Sequence, residues 1–320
     1  MELKCSNPDC LPEVNCHEGK EDHKQCEFWQ KLNSKGESKA TIVKKKSKNS
    51  TLPWTGNALS VEDLSKITYR TTPIILGVVG KVDAGKTTFL AMLYTLMLKG
   101  GGFTSFSFCG TKTIHAWDSL YQTLQIEKDG VKFPDPTPAE YIRFLHLALR
   151  NDHGNLKDVF ISDVAGEVFS AWSQNRNDAN AENARWIYEN SNAFILFIDC
   201  EDLIKRKAQS RTDVLDLAQM LNHNLYDRPV IAVWSKSDKK QEVHPKIVED
   251  IQSELAEKFG NYCEIEISNF SSDDPDVLVH KNNLSVIEWL LSKVFVNTNL
   301  TLDNTVKIKS KDHFLNFKID

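Results

Sequence analysis

The sequence predicts an α/β fold that combines a mostly parallel sheet, one antiparallel edge strand and a small cysteine-rich segment at the amino terminus. From Pro73 onward, short runs of β-branched and apolar residues alternate with stretches of helical periodicity, a pattern typical of βαβ units. The turn-forming run 151–155 separates two strand-like segments, 141–149 and 159–163. This spacing favours a hairpin and therefore one antiparallel strand.

The same alternation assigns the remaining elements in chain order. A buried first strand at Ile74–Val79 leads into a glycine-rich turn and then into a helix at Lys86–Leu98, whose apolar residues recur at helical spacing. The later strands share an apolar, β-branched composition and are predicted at Ala193–Asp199, Pro229–Trp234 and Glu264–Ile267. Further helices are predicted near 115–126, 178–190, 211–223, 245–259 and 283–295.

The glycine-rich turn carries a phosphate-binding motif. Residues 80–87, GKVDAGKT, satisfy G-x-x-x-x-G-K-[ST] and lie directly between a strand and a helix, the context that this motif requires. Its glycines let the backbone wrap closely around a phosphate, and amide N–H groups and the helix N-terminus present partial positive charge to it. We expect Lys86 to reach the β- and γ-phosphates and Thr87 to ligate Mg²⁺. The predicted nucleotide-binding residues of this segment are Gly80, Lys81, Val82, Asp83, Ala84, Gly85, Lys86, Thr87 and Thr88.

A second metal-side residue is expected, because Mg²⁺ that bridges two phosphates must also be held from the far side of the pocket. Asp163 ends the strand-like segment 159–163 and begins the run DVAGE. We expect it to hold the metal through water, and Gly166 to offer its N–H to the γ-phosphate. The attacking water is expected near Gly166 and Glu167, so both are candidate catalytic residues together with Lys86. A simple turn-forming aspartate is the alternative for Asp163.

Base recognition is predicted at the run SKSD, residues 235–238, which follows a predicted strand. The carboxylate of Asp238 can accept hydrogen bonds from N1–H and N2–H₂ of guanine, a donor pair that adenine lacks, and the aliphatic stem of Lys236 can cover the base. Ser235 completes the motif. Ser268 and Asn269 follow the last predicted strand and are candidates for contacts to the base oxygen, with an ordinary loop as the alternative.

These three motifs together resemble the translation-factor-related (TRAFAC) class of P-loop GTPases. The runs GKVDAGKT, DVAG and SKSD cover roughly residues 73–297, and the resemblance implies a Ras-like P-loop G domain that binds GTP or GDP. The cysteine-rich leader, the LPWTG segment and the run AGKTTFL are similar to a bacterial group, the double-GTPase families, predicted to act in conflict systems. That finer resemblance implies a role in anti-phage or conflict defence.

Three departures from the family pattern bear on the expected mechanism. Ser235 stands where these GTPases usually carry Asn or Thr, and Glu167 stands where Ras-like proteins carry a water-orienting Gln. The segment 100–140 is long and contains two candidates, Thr111 and Thr113, for the switch threonine that senses the γ-phosphate. A surface threonine is the alternative for each of them.

The amino-terminal cysteines predict a metal site. Cys5, Cys10, Cys16 and Cys26 supply four thiolates, and in a reducing compartment such a cluster favours metal over disulfides. Tetrahedral Zn²⁺ accepts four sulfurs, and a segment too small for its own core folds only with its metal. The spacing lacks paired C-x₂-C knuckles, and the alternatives are an unmetallated leader and an iron–sulfur site.

Composition shifts predict four parts of the chain: a cysteine-rich zinc-binding segment at 1–33, a lysine-rich linker and docking segment at 34–60, a GTPase domain at 61–300 and a tail at 301–320. The net charge of −5 and the pI near 6.0 do not indicate a nucleic-acid binder. No apolar run approaches the 18 or so residues of a membrane span, and the amino terminus lacks a secretory signal. A soluble, cytoplasmic protein is therefore expected.

The sequence thus predicts a guanine-nucleotide switch that hydrolyses GTP with Mg²⁺ and acts on a protein partner. The first alternative is a non-enzymatic adaptor that binds GTP, hydrolyses little of it, and engages its partner through the zinc segment and the lysine-rich linker. The second alternative is a P-loop enzyme that hydrolyses ATP and shows no preference for guanine.

Overall fold

The structure is a computed structural model that describes residues 22, 25, 26, 28, 29, 56–67, 72–127, 130–132, 137, 140–269 and 282–295. The chain forms two compact units, Met1–Thr51 and Leu52–Asp320. In the first unit, the backbone N–H of Gln25 donates to the carbonyl oxygen of Asp22 at 3.0 Å, and Cys26 is buried. The remaining elements all belong to the second unit.

A seven-stranded sheet forms the centre of the second unit. The strands of this sheet are β1 (Ile74–Val79), β2 (Phe106–Gly110), β5 (Arg143–Asn151), β6 (Leu156–Asp163), β7 (Ala193–Asp199), β8 (Val230–Ser235) and β9 (Tyr262–Glu266), and β3 (Gln125–Glu127) and β4 (Gly130–Lys132) form a separate ribbon. Their spatial order is β2-β5-β6-β1-β7-β8-β9. Neighbouring strands pair in parallel from β6 through β1, β7 and β8 to β9. Strand β5 is antiparallel to both of its neighbours, β2 and β6. The predicted, mostly parallel sheet with an antiparallel edge is confirmed.

Helices cover both faces of this sheet. They are α1 (Val61–Lys66), α2 (Lys86–Leu98), α3 (Ile114–Thr123), α4 (Gly166–Gln174), α5 (Glu182–Asn190), α6 (Cys200–Arg206), α7 (Ala208–Asn222), α8 (Pro245–Lys258) and α9 (Asn282–Val294). Short 3₁₀ turns lie at Ala179–Ala181 and Ser237–Glu242. Within the described residues, no helix has both the length and the apolar character that crossing a membrane demands.

The alternation of side chains along each strand divides the core into two layers. In β7, where all residues are buried, Phe194, Leu196 and Ile198 pack with helices α4 to α8. Their neighbours Ile195 and Phe197 point to the opposite face and pack with α2, α3 and α9. Because both faces are covered, the central strands are apolar throughout, as expected for a parallel sheet.

Several elements of the fold are not predicted by the sequence patterns, among them β2, α4 and α1. Strand β2 lies outside the predicted hairpin, and of its residues only Phe106 is buried while the next three are exposed, so it shows no alternation. Helix α4 begins at Gly166, inside the DVAG motif, where a glycine indicates a turn and not a helix. Helix α1 is only six residues long, which is too short for a periodicity to emerge.

The segment before α1 joins the edge of the sheet. Leu59 and Phe144 exchange two backbone hydrogen bonds of 3.0 and 2.8 Å, and Leu59 is buried. Ser60 then caps α1, accepting from the N–H of Asp63 at 3.2 Å. Leu59 is thereby fixed on β5, whereas the lysine-rich stretch 34–50, Trp54 of the LPWTG segment and the tail 301–320 lie outside the described residues.

Candidate functional site

A cavity of about 480 Å³ opens at the carboxyl ends of the parallel strands, the usual ligand position in open α/β sheets. The predicted site residues that line it are Val82, Asp83, Ala84, Gly85, Lys86, Thr87, Thr88, Gly166, Glu167, Ser235, Lys236, Asp238 and Asn269. It is also lined by residues that the sequence did not single out: Thr137, Val164, Ala165, Glu201, Lys239 and Ile267. The segments that follow five parallel strands therefore meet at one site.

The P-loop, residues 80–87, bends sharply into helix α2. Gly85 precedes the helix with a φ of 84°, a left-handed conformation that favours glycine. No side chain among the described residues caps the first turn of α2. The amide N–H groups of this turn, which border the cavity at Lys86 and Thr87, are thus free to bind an anion.

Lys86 lies buried beneath the P-loop. Its ammonium group donates to the carbonyl oxygens of Gly80 at 3.0 Å and Lys81 at 2.6 Å, which explains how these two predicted residues belong to the site. Burial lowers the pKa of Lys86 from 10.5 to about 8, and the negative charges of Asp163 and Glu167 only partly oppose this shift. An anion bound beside Lys86 would therefore stabilise its charged form.

Three oxygen-bearing side chains meet where the sequence predicts Mg²⁺. The hydroxyl of Thr87 donates to Oδ1 of Asp163 at 3.2 Å. The hydroxyl of Thr137 lies 3.2 Å from that of Thr87 and 3.4 Å from Oδ1 of Asp163. Hydroxyl and carboxylate oxygens are the donors that Mg²⁺ prefers, so this group of residues fits the expected ion.

Arg143 completes this group from strand β5. It is the direct neighbour of Asp163 across the antiparallel β5–β6 pair, and its Nη2 donates to Oδ2 of Asp163 at 2.5 Å. The same nitrogen reaches the hydroxyl of Thr137 at 3.3 Å. Asp163 is only 2% exposed, so a buried carboxylate and a guanidinium form a charge-assisted pair here.

Gly166 contacts the P-loop so closely that no side chain fits. A Cβ atom at this position would lie 2.2 Å from the backbone nitrogen of Val82 and 2.4 Å from the carbonyl carbon of Lys81. The next residue, Glu167, is exposed and borders the cavity. The turn between β6 and α4 thus rests directly on the P-loop and places its acidic side chain beside the P-loop end of the cavity.

The end of the cavity at Asp238 is held together by short polar contacts. Ser268 donates to Oδ1 of Asp238 at 2.8 Å, which orients that carboxylate and brings Ser268 into the site. The side chain of Asn283 donates to Oδ1 of Asn269 at 2.8 Å. Ser235 is buried, and its hydroxyl donates to the carbonyl oxygen of Ile198 at 3.2 Å, anchoring the loop that carries Asp238.

Two acidic residues that the sequence analysis missed hold Lys236 in place. Its ammonium donates to Asp199 at 2.8 Å and to Glu201 at 3.0 Å, and Lys239 donates to Glu201 at 3.2 Å. Hydrogen bonds from Lys236, Lys205 and Lys239 lower the pKa of Glu201 to about 2. Burial lowers the pKa of Lys236, but its acidic partners outweigh that effect and raise it overall. The signal was present, because Asp199 ends a predicted strand, as Asp163 does, and Glu201 follows two residues later.

The two candidates for the switch threonine do not line the cavity, whereas Thr137 does. The hydroxyl of Thr111 donates to the carbonyl oxygen of His146 at 2.5 Å, and the hydroxyl of Thr113 accepts from the His146 N–H at 2.9 Å. Thr113 is fully buried. In this structure both hydroxyls fix the segment before α3 on strand β5, and the assignment of the switch threonine stays a prediction. The signal for Thr137 was its position shortly before the first hairpin strand.

The predicted zinc site falls mainly outside the described residues. This applies to Cys5, Cys10 and Cys16, whereas Cys26 is described and buried. Within the described part of the chain, no three His, Cys, Asp or Glu side chains come together as a metal-binding group. The zinc site remains a prediction from the sequence.

Comparison with known proteins identifies a family. The model of the family described as Double-GTPase 2 matches residues 74–290. No curated protein matches the chain. Among solved structures, nucleolar GTP-binding protein 1 from Plasmodium falciparum is 12% identical, with a TM-score of 0.38, covering 71% of this chain and 91% of that one. A mutation variant of the protein SsGBP is 14% identical, with a TM-score of 0.35, covering 69% of this chain and 57% of that one.

Proposed function

Since the chain belongs to the double-GTPase 2 family, we propose that it binds GTP in the cavity between the P-loop and Asp238 and hydrolyses it to GDP and phosphate. One observation supports this most strongly. A single cavity is bordered by the P-loop with its buried lysine at one end and by the Asp238 carboxylate at the other. This arrangement matches a ligand that carries phosphates at one end and paired donors at the other.

The residues of the cavity divide the binding between them. Asp238, oriented by Ser268, accepts from the guanine donors, while the stem of Lys236 covers the base. The amides of the P-loop and the N-terminus of α2 bind the phosphates. Lys86 exchanges the carbonyl oxygens of Gly80 and Lys81 for phosphate oxygens, whose negative charge raises its pKa again.

In hydrolysis, a water molecule attacks the γ-phosphorus, the bond to the β–γ bridging oxygen breaks, and the proton of the water passes to the released phosphate. Mg²⁺, held by Thr87 and by Asp163 through water, would supply positive charge that offsets the charge on the phosphate oxygens. Lys86 and the P-loop amides stabilise the charge that develops on the bridging oxygen. Gly166 presents its N–H to the γ-phosphate, and Glu167 lies where the attacking water is oriented.

Glu167 also favours a second candidate function, a nucleotide-gated adaptor that hydrolyses little GTP. A carboxylate beside the γ-phosphate repels it, whereas a neutral amide at the same place orients water without that cost. In this alternative the bound GTP itself is the signal that a partner protein recognises. An ATP-hydrolysing enzyme is the third candidate, and it requires that Asp238 make no contact with the base.

Single-turnover hydrolysis of GTP separates these candidates. The wild-type protein should release phosphate, and Lys86→Ala should be slower by at least about a hundredfold, because one electrostatic donor to the transition state is lost. Lys99→Ala, at the exposed far end of α2, serves as the matched control and should leave the rate unchanged. A wild-type protein that binds GTP without releasing phosphate indicates the adaptor, and equal rates with GTP and ATP indicate the third candidate.

The wider role is proposed from sequence patterns. We place the protein in the cytoplasm as a switch read by a protein partner, and in bacterial conflict defence by its resemblance to the double-GTPase families. Residues 61–300 form the GTPase domain in this proposal, with the linker at 34–60 and the tail at 301–320 flanking it. The segment 1–33 binds Zn²⁺ through its cysteines, a proposal that elemental analysis of the purified protein tests.

A further inference from the structure

The carboxylate of Asp163 is fully engaged. Its Oδ1 is approached by the hydroxyls of Thr87 at 3.2 Å and Thr137 at 3.4 Å, and its Oδ2 accepts from Arg143 at 2.5 Å. Because Asp163 is 2% exposed, its negative charge requires a cationic partner inside the protein. Arg143 supplies that charge in the place where the proposed function requires a divalent cation.

Strand pairing holds Arg143 at this position. The register sets Arg143 directly opposite Asp163, so the backbone of the hairpin, rather than a loop, brings the two groups together. The side chain of Arg143 is 31% exposed, which leaves its guanidinium access to the edge of the site. A change of partner by Arg143 therefore requires a rotation of its side chain and no rearrangement of the sheet.

The guanidinium of Arg143 is not fully satisfied in its present position. Among the described residues, its buried Nε has no hydrogen-bond acceptor. An unpaired buried donor is unfavourable, and a charged one more so. The pairing with Asp163 thus leaves a donor that an additional anionic group near the cavity would satisfy.

From these contacts we infer that Arg143 is the resident counter-ion of the metal-side carboxylate and competes with divalent cations for Asp163. This inference rests on the proposed function, because it assigns the cation to the magnesium–nucleotide complex. A guanidinium and a divalent cation repel each other when both lie beside one carboxylate. Arg143 must therefore leave Asp163 before the carboxylate of Asp163 can help to hold the metal.

The inference has two consequences for binding. Without a divalent cation, Arg143 neutralises Asp163 and so preserves the affinity of the cavity for an anionic nucleotide. When a divalent cation binds, part of the binding free energy of the cation is used to displace Arg143 from Asp163. Removal of the Arg143 charge should therefore weaken nucleotide binding in the absence of the cation and strengthen binding of the cation itself.

The test measures binding of Mn²⁺ to the nucleotide-free protein by electron paramagnetic resonance, and binding of GDP with Mg²⁺ and with EDTA by calorimetry. Arg143→Gln should bind Mn²⁺ on the order of tenfold more tightly, and Mg²⁺ should enhance its GDP affinity by on the order of tenfold more than in the wild type. Arg150→Gln is the matched control, because Arg150 is exposed on the same strand. It should behave like the wild-type protein in both assays.

Arg143→Lys keeps the positive charge and loses the planar fork, so it should tighten Mn²⁺ binding less than Arg143→Gln does. Circular dichroism confirms folding, and if Arg143→Gln does not fold, the lysine variant decides by whether its Mn²⁺ affinity rises at all. Unchanged Mn²⁺ affinity in the Arg143 variants, or an equal change in Arg150→Gln, overturns the inference. A wild-type protein that binds no GDP contradicts the proposed function instead, and the Mn²⁺ measurement still decides the role of Arg143.

Discussion

At the residue scale, Lys86 determines how nucleotide binding depends on pH. Burial brings its pKa down to about 8 in the nucleotide-free protein, below its ordinary value of 10.5. A phosphate partner restores the charged form, so binding above pH 8 must be accompanied by uptake of a proton. The affinity for GDP should therefore fall as the pH rises above 8, by up to about tenfold per pH unit. Calorimetry in two buffers of different ionisation enthalpy measures the proton uptake.

The lowered pKa of Lys86 affects folding stability in the opposite direction from nucleotide affinity. Between pH 8 and 10.5 the unfolded chain binds more protons at Lys86 than the folded chain does, so the nucleotide-free protein should gain stability as the pH rises.

Lys86→Arg is the control for both pH predictions, because arginine stays protonated throughout this range. If GDP affinity shows the same pH dependence in both proteins, Lys86 is not the group responsible.

At the scale of elements, helix α3 ties the long segment between α2 and β5 to the core. Trp117 is 1% exposed, stacks on Tyr94 of α2 with ring centroids 5.7 Å apart, and donates from Nε1 to the carbonyl oxygen of His146 at 3.1 Å. Trp117→Ala should lower the free energy of unfolding by about 3–5 kcal/mol, through lost burial and the cavity that remains. Urea unfolding measures the change.

Tyr121 provides the matched control for this prediction. It lies on the same helix and is 41% exposed, so Tyr121→Ala should cost about 1 kcal/mol or less. Equal losses in the two variants would contradict the prediction, because the loss would then not depend on the burial of Trp117.

The sequence predicted those elements that carry their own local signal. Strand β1, helix α2 and the turn between them combine a buried apolar run with a fixed motif, and the structure has them at the predicted bounds. Strand β2 carries no such signal, because its exposed residues Ser107, Phe108 and Cys109 follow one another and only pairing with β5 makes them a strand. Long-range pairing of this kind overrides local propensity.

The residues of the candidate site also fall into two groups, those that a local motif predicts and those that it does not. Fixed motifs predicted the residues of the P-loop, Asp163 and Asp238, which the structure brings to one cavity or its supporting contacts. Thr137 and Arg143 were missed, because neither belongs to a motif. Arg143 reaches Asp163 because β5 pairs with β6, which no local pattern expresses. The hydroxyl of Thr111 contacts the carbonyl oxygen of His146 on β5, a long-range contact that no local pattern expresses.

At the scale of the whole molecule, the order of the strands creates the site. Strand β1 lies between β6 and β7, and the parallel strands present their carboxyl ends at one edge. Segments that are distant in sequence, such as the P-loop and Asn269, consequently border one cavity. The function proposed for this cavity depends above all on its preference for guanine, which Asp238 is expected to impose.

Competition binding of GTP, ATP and xanthosine triphosphate to the wild-type protein and to Asp238→Asn tests this claim most directly. Asparagine offers both a donor and an acceptor, so Asp238→Asn should lose GTP affinity by on the order of a hundredfold and gain affinity for xanthosine triphosphate. Asp216→Asn, a substitution at an exposed position of α7, should keep the wild-type order with GTP first. An unchanged order of the three nucleotides in Asp238→Asn would contradict the account, because the cavity would then not recognise guanine through Asp238.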